Sequence, residues 1–135
     1  MSFYQEIRAM QSPIPYRVDG DNRQLFSCNF IVRVLSPVTK FEEEIEELLR
    51  ASDDLAIPDD ELIYIGPRVS LPDGPGPFCV LIATGGYEPD ETHNTKRENR
   101  GLQIVTCAED YVVARDRAEA VWRYLDGLRS VNVSL

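Results

Sequence analysis

Residues 83–107 read ATGGYEPDETHNTKRENRGLQIVTC. An apolar run, FCVLIAT at 78–84, leads in, and a second, LQIVTC at 102–107, leads out. Both are rich in branched side chains and have the length of strands. Between them lies a polar stretch of about a dozen residues that opens on Gly85-Gly86. Two strands joined by such a stretch are antiparallel neighbours, and the stretch projects from them as an extended hairpin loop. It gathers the only histidine, His93, with Glu88, Asp90, Glu91, Lys96, Arg97, Glu98 and Arg100. Long loops inside a compact domain usually serve as active sites, binding surfaces or arms.

The flanking segments complete the architecture. Upstream, residues 25–35 alternate, with Phe26, Cys28, Phe30, Val32 and Val34 on one face and Ser27, Asn29 and Arg33 on the other. That is a half-buried strand. Pro37 ends it. Thr39, with Glu42 three residues on, reads as a capping box for a helix of about 12 residues. Its apolar stripe is Phe41, Ile45, Leu48 and Leu49. Residues 62–65 predict a short strand, and the Pro/Gly-rich stretch 69–77 predicts a stiff loop. Downstream, Asp110 starts a second helix with Ala114, Ala118, Val121, Trp122, Leu125 and Leu128 on one stripe, and Gly127 follows as its C′ residue. Residues 131–135 alternate and predict an edge strand. In residues 1–24, FYQEIRAM predicts a short helix that Pro13 and Pro15 stop. The expected fold is α+β: a mostly antiparallel sheet of four or five strands, with two helices on one face and a long projecting hairpin loop. Residues 1–38 read as an N-terminal arm with an extra strand, and residues 39–135 as the main domain.

Composition bounds the function. The 135 residues fit one domain, and their 43% apolar content is that of a globular chain. No run reaches the roughly 18 apolar residues of a membrane helix, and the first residues lack the layout of a secretory signal. Cys28, Cys79 and Cys107 each lie in an apolar strand-like run without paired spacing, which predicts reduced core thiols. The net charge is −9, and residues 41–61 alone hold ten acids against Arg50. The acidic helix, with Glu42, Glu43, Glu44, Glu46 and Glu47, therefore reads as a solvated face, or as a surface that repels a polyanion or docks a basic partner. No contiguous basic stripe favours sequence-specific nucleic-acid binding.

Catalytic templates find no match. His93 with Asp90 and Glu91 is the one acid–base cluster, but its neighbours are polar and would not tune its pKa. It reads as a surface histidine. The phosphate-loop, dinucleotide, zincin and nucleophile-elbow motifs are absent from the sequence, and no cofactor or metal is expected. Lys96, Arg97 and Arg100 beside Glu98 instead form a strip suited to an acidic neighbour, such as the acidic helix of another copy. Contacts between two different patches close into rings.

The order GPFCVLIATGG, then YEPDETHNTKRENRGLQIVTC, then DYVVARDRAEAVWRYLDGL, resembles the tail terminator (minor capsid, tail completion) proteins of long-tailed bacteriophages. The resemblance covers roughly residues 39–135. It implies a homo-hexameric ring that caps the tail tube, stops its polymerisation and joins the tail to the head connector, with DNA passing through non-specifically. It places the protein at the head–tail junction of the virion after assembly in the host cytoplasm, and makes it a structural protein rather than an enzyme, with no membrane partner. The interaction loop would comprise Tyr87, Glu88, Asp90, Glu91, His93, Lys96, Arg97 and Arg100. The acidic helix would line the lumen or an inter-subunit contact. A head-side connector or neck completion protein, and a small non-phage binding domain or enzyme, are the alternatives. Residues 1–38 exceed the short start of that family, so the strand at 25–35 is expected as an extra edge or a swapped element.

Overall fold

The computed structural model describes residues 2–18, 20, 22–35, 38–53, 55, 57, 63–66, 71, 74–92 and 95–135. Among them, seven strands and two helices follow in the order β1 (Ser2–Ala9), β2 (Ile14–Val18), β3 (Gln24–Leu35), α1 (Phe41–Arg50), β4 (Ile63–Ile65), β5 (Phe78–Thr92), β6 (Thr95–Ala108), α2 (Tyr111–Leu125) and β7 (Leu128–Val133). The strands form one sheet, ordered β4-β5-β6-β3-β1-β7, with β2 paired to β3 off this path. Only β4 and β5 run parallel. The expected α+β class holds, with more strands than the four or five anticipated.

β3 organises the sheet. Its alternation places Phe26, Cys28, Phe30, Val32 and Val34 in the main core. One edge pairs with β6 along its whole length, from Gln24↔Ala108 to Leu35↔Arg97. The other edge is shared by β1, from Tyr4↔Val34 to Ala9↔Phe30, and β2, from Ile14↔Ser27 to Val18↔Gln24. β3 is therefore a central strand and not the extra edge expected. As a buried central strand it needs a partner on each side, because its backbone N–H and C=O groups point alternately to both edges.

The expected N-terminal helix is strand β1. Tyr4 and Ile7 are both buried, although residues three apart point to opposite faces of a regular strand. A register shift between Tyr4 and Glu6 inserts the extra residue that returns both to the core. The same three-residue spacing mimics a helical stripe in the sequence.

α1 buries its expected stripe, Phe41, Ile45, Leu48 and Leu49, and α2 buries Ala114, Ala118, Val121 and Leu125, whereas Leu128, expected on the same stripe, lies past the end of the helix in β7. The alanines let α2 approach the sheet closely. Its carbonyls at Ala114 and Ala118 accept from Thr106 Oγ1 at 3.0 Å and from Cys28 Sγ at 3.6 Å. Trp122, expected inside, sits half-buried at the core margin. Asp110 caps α2 as its sequence predicts, accepting from the Val112 and Val113 amides, and Gly127 follows the helix at φ +87°. α1 departs from expectation. Its N-cap is Lys40, without a side-chain bond, so Thr39 and Glu42 form no capping box.

Candidate functional site: a long ribbon and an acidic helix

Within the stretch 85–100, residues 85–92 and 95–100 are strand, not loop. β5 and β6 stay paired through Gly86↔Arg100, Tyr87↔Asn99, Asp90↔Arg97, Glu91↔Lys96 and Thr92↔Thr95. A dozen-residue loop would leave its backbone groups to water, whereas a ribbon pairs those that face across its two strands. β3 ends at Leu35, opposite Arg97. Among the described residues, the pairs Glu91↔Lys96 and Thr92↔Thr95 therefore lie past the end of β3 and pair with no third strand.

Within the sheet, at the root of the ribbon, β5 and β6 meet at a pair of glycines. Gly85 stands opposite Gly101, next to a register shift between Ala83 and Gly85, with φ +78°. A Cβ on Gly101 would run into the Gly85 carbonyl oxygen and Thr84 Oγ1. This close approach requires glycine at 101, and bulges of this kind re-aim a strand.

Of the interaction residues expected here, His93 and the side chains of Tyr87, Glu88, Asp90, Glu91 and Lys96 lie outside the described residues. Arg100 has a structural task. Its Nη2 donates to the Val38 carbonyl at 2.7 Å, its Nε to Glu98 Oε2 at 2.8 Å, and its guanidinium covers the Phe41 ring at 5.3 Å. It thus ties the ribbon base to the start of α1. Arg97 is half-buried at the same base, and its buried Nε has no hydrogen-bond partner among the described residues.

The glutamates of α1 divide. Glu43 and Glu47 are exposed one helical turn apart, Glu42 and Glu46 are half-buried, and Glu46 pairs with Arg50 at 3.6 Å. Glu44 is different: only 7% exposed, it accepts from Ser2 Oγ at 2.9 Å and from the Tyr4 hydroxyl at 3.0 Å. Burial and the Glu44 carboxylate push the Tyr4 hydroxyl pKa well above the usual tyrosine range, which keeps it a donor. Glu44 is therefore a core tether between α1 and β1 and not part of an acidic outer surface. Removing its buried donor leaves a carboxylate short of a partner, so Tyr4→Phe is expected to lower stability by about 1–3 kcal/mol. Urea unfolding of Tyr4→Phe, Glu44→Gln and the double variant measures the coupling, and additive losses would disprove the tether.

All three cysteines are free and buried. Burial pushes the Cys28 thiol up to about 12, which makes it a packing residue and not a nucleophile. Among the described residues, no group of three or more His, Cys, Asp or Glu side chains is placed to hold a metal ion, and no helix is long and apolar enough to cross a membrane.

Sequence reasoning missed one surface, at the end of the sheet opposite the ribbon tip. Tyr16 and Val18 of β2, Phe26 of β3 and Tyr111 of α2 line a shallow groove of about 150 Å³. The Phe26 and Tyr111 rings meet edge to face at 5.2 Å. The signal lay in the order YVVA at 111–114: only Ala114 belongs to the buried stripe, which leaves three consecutive apolar residues off it.

No protein-family model, no curated protein and no solved structure matches this chain.

Proposed function

We propose that this chain is a structural assembly protein of a long-tailed bacteriophage. Copies of it close into a ring on the completed tail tube, stop its growth and present the surface that the head connector joins. The observation that carries the reading is the paired ribbon of β5 and β6, which runs past the end of β3. Its residues are mostly polar, and among the described residues its last pairs join no third strand. Such a ribbon keeps outward-facing backbone groups on its free edges, which can pair with a neighbour without disturbing the core that anchors it. The order of strand, ribbon, strand and alanine-rich helix, which resembles the terminator proteins, supports the same reading.

In this arrangement the ribbon reaches the adjacent copy or the tube protein. Glu43 and Glu47, exposed on α1, face the passage of the DNA. Carboxylates there neutralise no phosphate and so leave transit unhindered. Glu44 takes no part, because it is spent on the core. The ring works by contact and geometry without catalysis, and its place is the head–tail junction of the virion.

The test is a shortened ribbon. Residues 91–96 are replaced by Asn-Gly, the two-residue turn that antiparallel strands favour. Asp90 and Arg97 are already opposite each other, so the turn closes on an existing pair. The variant is expected to keep wild-type circular dichroism and urea midpoint, and to lose the joining of tails to heads in an assembly extract. Normal joining by a chain that lacks the ribbon tip would defeat the proposal.

A further inference from the structure

The face of the sheet away from the helices has no role in the reading above. Both helices pack on the side that carries Tyr4, Ile7, Val32 and Val34. On the other side, the register places Arg129 of β7 beside Glu6 of β1, and Glu6 beside Arg33 of β3. Arg8 stands two residues along β1, on the same face. These four are the only charged residues of the three strands, three cations against one acid. Glu6 is shared, at 3.4 Å from Arg8 Nε and 3.6 Å from Arg129 Nη2. Arg33 turns to a neutral partner, its Nε donating to Asn99 Oδ1 at 3.3 Å. The side chains of Arg8 and Arg129 are 73 and 71% exposed, and Arg33 is exposed as well. A chain of net charge −9 thus keeps a basic patch near the β7 edge of its sheet.

The opposite edge is β4. The segment that leads into it, DDLAIPDDE at 53–61, holds five carboxylates and no cation. It is anchored from within. Leu55 and Ile57 are buried in the main core, the Leu55 amide donates to Ser52 Oγ, and its carbonyl accepts from Arg117 Nη1, each at 3.1 Å. Asp53 is exposed.

We infer that the arginine patch is a dock between subunits, and that its occupant is the acidic segment 53–61 of a second copy. Charge selects the occupant: residues 41–61 carry the whole acidic excess of the chain, and α1 faces the DNA passage in the ring reading, which leaves 53–61. The two surfaces lie at opposite edges of one sheet, so the contact is heterologous. Each copy receives at one edge and inserts at the other, and repetition closes a ring. The inference rests on the ring reading and names the contact that closes the ring. Exposed ion pairs are individually weak. The dock therefore sets partner and orientation, and makes association depend on salt.

Sedimentation velocity of the full chain tests it, at about 0.01 M salt, where charges act over about 30 Å, and at about 1 M, where they act over about 3 Å. Wild type is expected to self-associate at low salt and to dissociate at high salt. Arg33→Glu with Arg129→Glu is expected to weaken the association by about tenfold or more, with circular dichroism and urea midpoint near wild type. Arg33→Gln with Arg129→Gln, which adds no repulsion beside Glu6, must weaken it in the same direction. Asp53→Lys with Asp59→Lys and Asp60→Lys must match the first variant. An equimolar mixture of the two charge-reversed chains must associate again, because each supplies the sign that the other has lost. Glu43→Gln with Glu47→Gln must behave as wild type. A wild-type chain that stays monomeric at low salt overturns the inference. So does association that survives the arginine reversal, a mixture that stays dissociated, or a loss of association on neutralising Glu43 and Glu47. Normal tail joining by the shortened ribbon, in a chain that still passes the charge-swap test, bears on the ribbon's part in the ring reading and not on the dock.

Discussion

Gly101→Val is expected to unfold the chain or to detach the ribbon from the sheet, and Gly101→Ala to cost about 2–3 kcal/mol. The reason is local and backbone-to-backbone. Gly101 lies opposite Gly85, and any Cβ at 101 meets the Gly85 carbonyl oxygen and Thr84 Oγ1. The threonine can rotate away. The carbonyl is held by the ladder and by the positive φ of Gly85, so relief requires the two strands to separate. Gly20→Ala provides the control, since nothing lies within 4 Å of a Cβ at that position. It should shift the urea midpoint by no more than an ordinary surface change, about 0.5 kcal/mol. Equal midpoints for the two alanine variants would show that residues 85 and 101 do not approach closely, and with that the account of the glycine pair at the root of the ribbon fails.

Phe30→Ala is expected to be the most damaging single truncation in the core, at about 3–5 kcal/mol. Phe30 is buried at the middle of β3, with Ala9 on one side and Leu102 on the other. Such a loss is a large part of the roughly 5–15 kcal/mol that holds a domain of this size. Arg33→Ala, three residues along on the exposed face, should stay within about 0.5 kcal/mol. The ratio of the two effects, read from equilibrium unfolding, tests the assignment of the two faces. Similar losses at both positions would mean that the sheet is covered on both sides at this point.

The elements legible in the sequence were those with a single periodicity and one buried face: β3, α1, α2 and β7. β1 was hidden because a bulge converts the period-two pattern of a strand into a three-residue spacing. The ribbon was hidden because its residues at 85–100 are polar and its outer pairs lie past the end of β3. Without a core face, no alternation of apolar and polar residues is imposed on residues 85–100, and a polar paired segment looks like a loop. The buried role of Glu44 was present in the spacing and passed over. Residue 44 stands three after Phe41 and four before Leu48, on the same stripe as both. For Arg100 no local signal existed, since its partners Val38 and Phe41 are about sixty residues away along the chain.

The antiparallel ladder between β3 and β6 also has a mechanical meaning. It runs without a shift from Gln24↔Ala108 to Leu35↔Arg97, and β6 continues directly into the ribbon. A pull on the ribbon tip along its own axis therefore loads that ladder in shear. The interstrand bonds lie across the direction of force and share the load at once. A sideways peel of the tip would instead open the β5–β6 pairs one after another. The body thus resists tension along the ribbon far more than it resists bending of it: stiff when drawn out toward a neighbour, compliant when pushed aside.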